Sequence, residues 1–286
     1  MKSKLTPLPK IYGLIGKPVR HSLSPLMHNA AFKALKIDAE YRLFELEADR
    51  LEHFLYNMGA NNILGVNVTV PYKEKVMPFL DKVSAEAKAI GAVNTIKLSQ
   101  DSLEGFNTDG EGFLWDLTKN LKFNPEGKSV AIIGAGGAAR AVCVYLSKAH
   151  VKKISIFDIE AKKRDVLVEH LKRSFPDMET TSAEAIDGLR INKRDLLINA
   201  TPIGMRENDP CLVDEKLLHK NILVYDLIYN PAETRLIKAA RQIGARASGG
   251  LGMLLCQGAR SFEIWRESPA PIEAMELALK EGVKKI

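Results

Sequence analysis

Long hydrophobic runs are missing from this 286-residue chain. No stretch approaches the roughly 20 apolar residues that a membrane-spanning helix needs. The basic start Met1-Lys-Ser-Lys-Leu-Thr-Pro-Leu-Pro9 has no continuous apolar segment behind it, so no signal peptide is expected and the expected location is cytoplasmic. Cysteine is scarce: Cys143, Cys211 and Cys256 are odd in number and far apart, which excludes a disulfide framework and a zinc spacing and predicts buried free thiols. The histidines (His21, His28, His53, His150, His170, His219) are scattered, and no metal is expected. Charge is not segregated. The net charge is +6, but basic residues interleave with acids, as in Lys73-Glu-Lys75 and Glu160-Ala-Lys-Lys-Arg-Asp165. The one basic cluster, Lys162-Lys-Arg164, reads as a solvated helix face, so nucleic acid is not an expected partner. A mildly positive protein attracts small anions instead. No repeat or low-complexity stretch is visible.

What the chain does have is alternation of short apolar runs with amphipathic segments, the pattern of α/β architecture. Strands are predicted at 10–16, 41–46, 63–70 and 93–98, with a hairpin-like continuation at 103–106. Helices are predicted from Ser24-Pro25, with Ser24 as N-cap and proline in the first turn, and over 49–58. The pattern then starts again. Residues 109–120 read as helix, 128–133 as a buried parallel strand, and 138–148 as a strong helix, with later strands at 153–157, 196–200, 222–227 and 245–247 and two helices after Leu251. The expected fold is two α/β domains, with the change near residue 108.

Polar residues collect where several of these runs stop: Asn67-Val-Thr-Val-Pro-Tyr-Lys73, Asn94-Thr95 and Asn107-Thr-Asp109. A sheet delivers side chains to a site at the C-terminal ends of its strands, so these positions suit chemistry, although Asn and Thr are also turn formers. The loop Gly134-Ala-Gly-Gly-Ala-Ala139 lies between a strand and a helix and reads as a dinucleotide fingerprint. Gly134 permits a tight turn, Gly136 close approach of amides to a pyrophosphate, and Ala139 close helix packing. Strand 153–157 ends in Asp158, where the fingerprint places an acid about 20 residues on. A carboxylate there accepts from the adenine-ribose hydroxyls of NAD and repels the 2′-phosphate of NADP, so NAD is the expected cofactor and NADP the alternative. Two other readings stay open: Asp158 caps the next helix, or Lys162, Lys163 or Arg164 neutralises a phosphate. Together these features predict a hydroxyl-oxidising enzyme with a nicotinamide cofactor.

The chain resembles the shikimate dehydrogenase family, which includes the quinate/shikimate dehydrogenases, over nearly its whole length. The resemblance rests on Gly16-Lys-Pro-Val-Arg-His-Ser-Leu-Ser-Pro-Leu-Met-His-Asn29, Asn67 to Lys73, Gly91-Ala-Val-Asn-Thr95, Gly105-Phe-Asn-Thr-Asp109 and Gly134 to Arg140. It continues in Asn199-Ala-Thr-Pro-Ile-Gly204, Asp226-Leu-Ile-Tyr-Asn-Pro231 and Gly250-Leu-Gly-Met-Leu-Leu-Cys-Gln-Gly258. It implies an N-terminal α/β substrate domain (1–108), a Rossmann-type dinucleotide domain (109–250), C-terminal helices (251–286) packing back on the first, and an active-site cleft between the domains. The implied reaction is reversible hydride transfer between shikimate and a nicotinamide, giving 3-dehydroshikimate. The assembly expected is a monomer or homodimer.

Roles follow position by position from the resemblance. Ser22 and Ser24 match the hydroxyls that hold the substrate carboxylate, and Asn67, Asn94 and Asp109 the residues that grip ring hydroxyls, with Thr69, Tyr229 and Gln257 in the same pocket. Lys73 and Asp109 match the catalytic pair. One group must serve as both base and acid, and a lysine does so to the extent that desolvation keeps some of it neutral. The aspartate is then expected to orient the lysine and bind substrate. Gly134, Ala135, Gly136, Gly137, Ala138, Asp158, Thr201 and Gly250 match cofactor contacts. Where NADP-using members carry Asn-Arg-Thr or Asn-Arg-Ser, this chain has Asp158-Ile159-Glu160, which points to the NAD-using branch. Thr69 resembles the shikimate-selective enzymes. Two alternatives remain: an enzyme acting mainly on quinate, and a catalytically silent dinucleotide-binding regulator.

Overall fold

The computed structural model describes residues 9–284, which fall into two compact units, one made of the residues up to Thr108 plus Gly258–Lys284 and the other of Asp109–Gln257. The first unit contains, in chain order, β1 (Lys10–Gly16), α1 (Ser24–Ala34), β2 (Ala39–Glu45), α2 (Leu51–Tyr56), β3 (Ile63–Val68), β4 (Lys82–Val83), α3 (Ala85–Ile90), β5 (Thr95–Ser99) and β6 (Ser102–Phe106). Its sheet has the order β2-β1-β3-β5-β6-β4, parallel across β2-β1-β3 and antiparallel across β3-β5-β6. β1 and β3 are central and buried along most of their length, so they read as continuous apolar runs rather than alternating ones. Ile15, Val66, Val68, Leu55 and Met58 meet in one core.

The second unit holds α4 (Asp109–Trp115), β7 (Ser129–Ile133), α5 (Gly137–Lys148), β8 (Lys153–Phe157), α6 (Ala161–Ser174), β9 (Glu179–Ala183), β10 (Leu196–Asn199), β11 (Leu223–Asp226), α7 (Arg235–Gln242) and β12 (Arg246–Ser248). Its six strands are all parallel in the order β9-β8-β7-β10-β11-β12. Numbered within the unit this is 3-2-1-4-5-6, the doubly wound order that binds dinucleotides where the winding reverses. The reversal lies between β7 and β10, immediately before the glycine loop. α8 (Leu251–Arg266) belongs to this unit through Gln257 and from Gly258 to the first, as does α9 (Ile272–Val283). Gly282 lets α9 lie against Leu26 of α1.

Several sequence expectations are corrected. Ser24 is the first residue of α1 and not its cap; Leu23 holds that position without a side-chain bond. The helix expected over 49–58 divides into a 3₁₀ turn, Ala48–Arg50, and α2. The helix expected over 109–120 ends at Trp115 and widens into a π-turn at Asp116–Asn120. β3 stops at Val68, leaving Thr69 beyond it. β9, Glu-Thr-Thr-Ser-Ala, had no apolar signature because it is an edge strand with only Thr180 and Ala183 buried. Arg164 is buried, donating to the Ala183 carbonyl at 2.9 Å, while Lys162 and Lys163 are exposed, so the basic cluster is not one solvated face. Of the cysteines Cys143 is buried, Cys256 half-buried and Cys211 exposed.

Candidate active site

In the first unit the sheet brings Asn67 and Asn94 into one buried polar cluster. Asn67 is the penultimate residue of β3, and its register partner on β5 is Thr95. The Asn67 amide nitrogen donates to Ser261 Oγ (2.9 Å), Thr95 Oγ1 (3.2 Å) and the Asn94 carbonyl (3.2 Å), and Tyr41 donates its phenol proton to Asn67 Oδ1 (2.8 Å). Asn94 Oδ1 accepts from the Thr108 N–H (2.8 Å) and from Thr95 Oγ1 (2.9 Å), and its Nδ2 donates to Thr108 Oγ1 (2.9 Å). Each of these groups is buried and satisfied, which fixes side-chain orientation before any ligand arrives. The Asn107 amide instead donates to the Ala92 carbonyl at 2.9 Å. Sequence reading missed Tyr41 and Ser261. Tyr41 looks like a strand aromatic and Ser261 like a helix residue, and only the tertiary fold carries them to Asn67.

Lys73 lies in a half-buried turn after β3, where its carbonyl accepts from the Val93 N–H at 2.7 Å, the residue before Asn94. Thr69 is half-buried, its N–H bonded to the Ile15 carbonyl at 2.9 Å. Gly16 carries no Cβ because Thr69 Cγ2 occupies that space. At the start of α1, Ser22 Oγ donates to Ser24 Oγ (3.1 Å) and accepts from the Ser24 N–H (3.2 Å), so two hydroxyls sit together at the positive end of an 11-residue helix. His28, one turn further, is fully buried and stacked on Tyr41, with centroids 4.4 Å apart and planes 8° from parallel. Burial pushes its imidazole down to about 3, so it is neutral.

The second unit holds the remaining candidates. Asp109 opens α4 and is buried at 4% exposure, Tyr229 is half-buried after β11, and Gln257 is buried on α8 with Nε2 donating to the Leu254 carbonyl (3.0 Å). The glycine loop has the form a dinucleotide needs. Gly134 has φ +111°, and a Cβ there would lie 2.8 Å from the Ala200 carbonyl at the end of β10, so only glycine fits. A Cβ at Gly136 would meet nothing within 4 Å, which leaves open space over the start of α5 for a pyrophosphate. Gly137 and Ala138 form the first turn of α5, and Ala135 and Ala139 are buried beneath it. Asp158 Oδ2 accepts from the Ala135 N–H (2.7 Å) and Oδ1 from the Glu160 N–H (2.8 Å), so the carboxylate is tied to the loop and does not cap α6. Glu160 pairs with Lys163 at 2.5 Å. Thr201 follows β10 with its hydroxyl on Asn199 Oδ1 (2.8 Å). Gly250 presses on the Leu227 carbonyl at the end of β11.

Comparison with known proteins identifies the family. Residues 14–96 match the family described as Shikimate dehydrogenase substrate binding domain, and residues 250–280 match Shikimate 5'-dehydrogenase C-terminal domain. A shikimate dehydrogenase (NADP(+)) from Methanopyrus kandleri is 43% identical over 280 residues, covering 96% of each chain. The chain belongs to the shikimate dehydrogenase family. A crystal structure of a shikimate dehydrogenase in complex with NADP+ superposes with a TM-score of 0.88 at 38% identity, covering 96% of each chain. The enzyme of Listeria monocytogenes, in complex with shikimate and NAD, does so with a TM-score of 0.85 at 34% identity, covering 98% of this chain and 99% of the other. The solved members thus include one with each dinucleotide.

Proposed function

We propose that the protein is an NAD(P)-dependent shikimate dehydrogenase that interconverts shikimate and 3-dehydroshikimate. The observation that carries this reading is the buried cluster around Asn67 and Asn94, a set of oriented amides and hydroxyls suited to a polyhydroxylated ring, in a chain whose second unit has the dinucleotide order and loop. A bound nicotinamide supplies the hydride acceptor. Lys73 takes the hydroxyl proton at its Nζ during oxidation and returns it during reduction. Asn67 and Asn94 hold ring hydroxyls, Asp109 binds a further hydroxyl, and Thr69, Tyr229 and Gln257 complete the contacts. Ser22 and Ser24 hold the carboxylate at the N-terminus of α1, where the helix dipole favours an anion. Gly134, Ala135, Gly136, Gly137 and Ala138 cradle the pyrophosphate, Asp158 lies towards the adenine ribose, and Thr201 and Gly250 complete the cofactor contacts.

The names of the relatives weigh towards NADP as the working cofactor. A second reading, preference for NAD, is favoured by Asp158 at the end of β8 and by Ile159, which is 88% exposed and offers no cation to a 2′-phosphate. Shikimate is the proposed substrate and quinate a possible second one, because Thr69 has the hydroxyl side chain of the shikimate-selective pattern.

The test is initial-rate nicotinamide reduction by the purified protein with shikimate or quinate, using NAD and NADP in turn. Turnover of shikimate with either supports the dehydrogenase reading, and the ratio of kcat/KM values assigns the cofactor. Faster turnover of quinate moves the assignment to a quinate enzyme. Dinucleotide binding without turnover of either acid overturns it in favour of a regulator.

A further inference from the structure

α4 and the first turns of α8, both in the second unit, cross in direct backbone contact. An ideal Cβ on Gly112 would lie 2.6 Å from the Gln257 nitrogen, and one on Gly252 would fall on the Asp116 carboxylate. The order of these contacts, 112 with 257 and 116 with 252, makes the two helices antiparallel. Asp109 and Gly112 share one face of α4, and Asp116, at the start of the π-turn, continues it. At its far end that face is locked. Tyr225 of β11 donates its phenol proton to Asp116 Oδ2 (2.5 Å), and Asn120 Nδ2, on the π-turn, donates to Oδ1 (2.6 Å). The Met253 N–H, in the first turn of α8, interacts with the same phenol oxygen. Tyr225 is fully buried, Asp116 is 3% exposed, and Phe113 packs edge-on to the tyrosine ring at 5.0 Å. A carboxylate so deeply buried is costly unless it is hydrogen-bonded, and the close fit of Gly252 against it together with the Met253 N–H on the phenol ties the first turn of α8 to this network.

We propose that Asp116 and Tyr225 are positioning residues that set the register of α8 against α4 and thereby hold Gln257 at a fixed separation from Asp109 for the substrate. The proposal rests on the reading that Gln257 and Asp109 contact shikimate. Neither Asp116 nor Tyr225 touches substrate; they act through Gln257.

The experiment is a double-mutant cycle in steady-state kinetics on the full chain: Tyr225→Phe, Gln257→Ala and both together, with shikimate and the preferred dinucleotide. Tyr225→Phe is expected to raise the KM for shikimate about fivefold or more while the dinucleotide KM stays within about twofold. In the Gln257→Ala background its effect is expected to shrink below about twofold, because residues acting by one route are not additive. An equal effect in both backgrounds, or a parallel rise in dinucleotide KM, overturns the proposal. Should Tyr225→Phe not fold, Asp116→Asn, which keeps volume and an acceptor for the phenol, enters the same cycle. If Gln257→Ala alone leaves the shikimate KM unchanged, the site assignment of Gln257 fails and the proposal with it. A normal loss in Gln257→Ala with an additive second substitution defeats the proposal alone.

Discussion

Tyr41 holds Asn67 in place: its phenol donates to Asn67 Oδ1 at 2.8 Å, so the amide face is set and its nitrogen points to Ser261, Thr95 and the Asn94 carbonyl. The tyrosine ring is in turn fixed by stacking on His28, with Trp265 tilted against both rings. A polar residue proposed to grip substrate is therefore oriented by an aromatic layer behind it in the chain's own core. This is how a binding site is pre-organised at small entropic cost.

Lys73→Ala is expected to lower kcat by about 10²-fold or more while KM for shikimate changes little, the signature of a lost proton-transfer group. Steady-state kinetics at neutral pH check it. A variant with near-normal kcat removes the lysine from the chemistry.

Asp158→Asn keeps one acceptor oxygen, enough for the Ala135 N–H, and removes the charge proposed to face the ribose. The ratio of kcat/KM for NADP over NAD is expected to rise about tenfold, the scale of one charge-assisted contact. An unchanged ratio would confine Asp158 to holding the glycine loop.

Gly134→Ala and Gly136→Ala separate folding from binding. At Gly134 the positive φ and the Ala200 carbonyl both oppose a side chain, with strain of about 1–3 kcal/mol, so the melting temperature should fall. At Gly136 a methyl meets no protein atom within 4 Å, so stability should hold while the dinucleotide dissociation constant rises several-fold. Thermal unfolding and dinucleotide titration of both variants test the pair. Equal stability losses at the two positions would contradict the argument.

His28 gives the acid limb of stability a specific source. Burial lowers it from 6.5 in the unfolded chain to about 3 in the folded one, so the unfolded chain takes up the proton first. The stability of the neutral ring is complete above pH 6.5 and is lost as the pH falls below that. Between pH 7 and pH 5 the loss is about 2 kcal/mol. His28→Phe, which keeps a flat ring on Tyr41, should lack that component in urea unfolding at the two pH values. Equal losses in both proteins would refute it.

Much of the second unit was legible in the chain because its signals are local. Strand 153–157 matches β8 residue for residue, since Ile154, Ile156 and Phe157 are β-branched or aromatic residues that give a strong local strand signal. The fingerprint loop works through φ angles and missing Cβ atoms, which glycine encodes directly. The misses share a cause. β9 is an edge strand paired on one side only, and the turn at Asp116–Asn120 widens where Asp116 bonds to Tyr225, more than 100 residues away. Arg164 looked like a surface charge because the Ala183 carbonyl that binds it belongs to β9 and not to its own helix.

The sequence by itself determined the parts that need only neighbours along the chain: the alternation of strands and helices, the glycine loop, the acid after β8, and the polar residues at strand ends. Tertiary structure alone decided which of those polar residues meet. Asn67 and Asn94 are joined through Thr95, Thr108 and Ser261 because β3 and β5 are paired in one register and α8 carries Ser261 to them. Hydrogen bonds reach about 3 Å. A chain's spacing fixes such distances within a turn of helix or along a strand, and between elements only packing can do so.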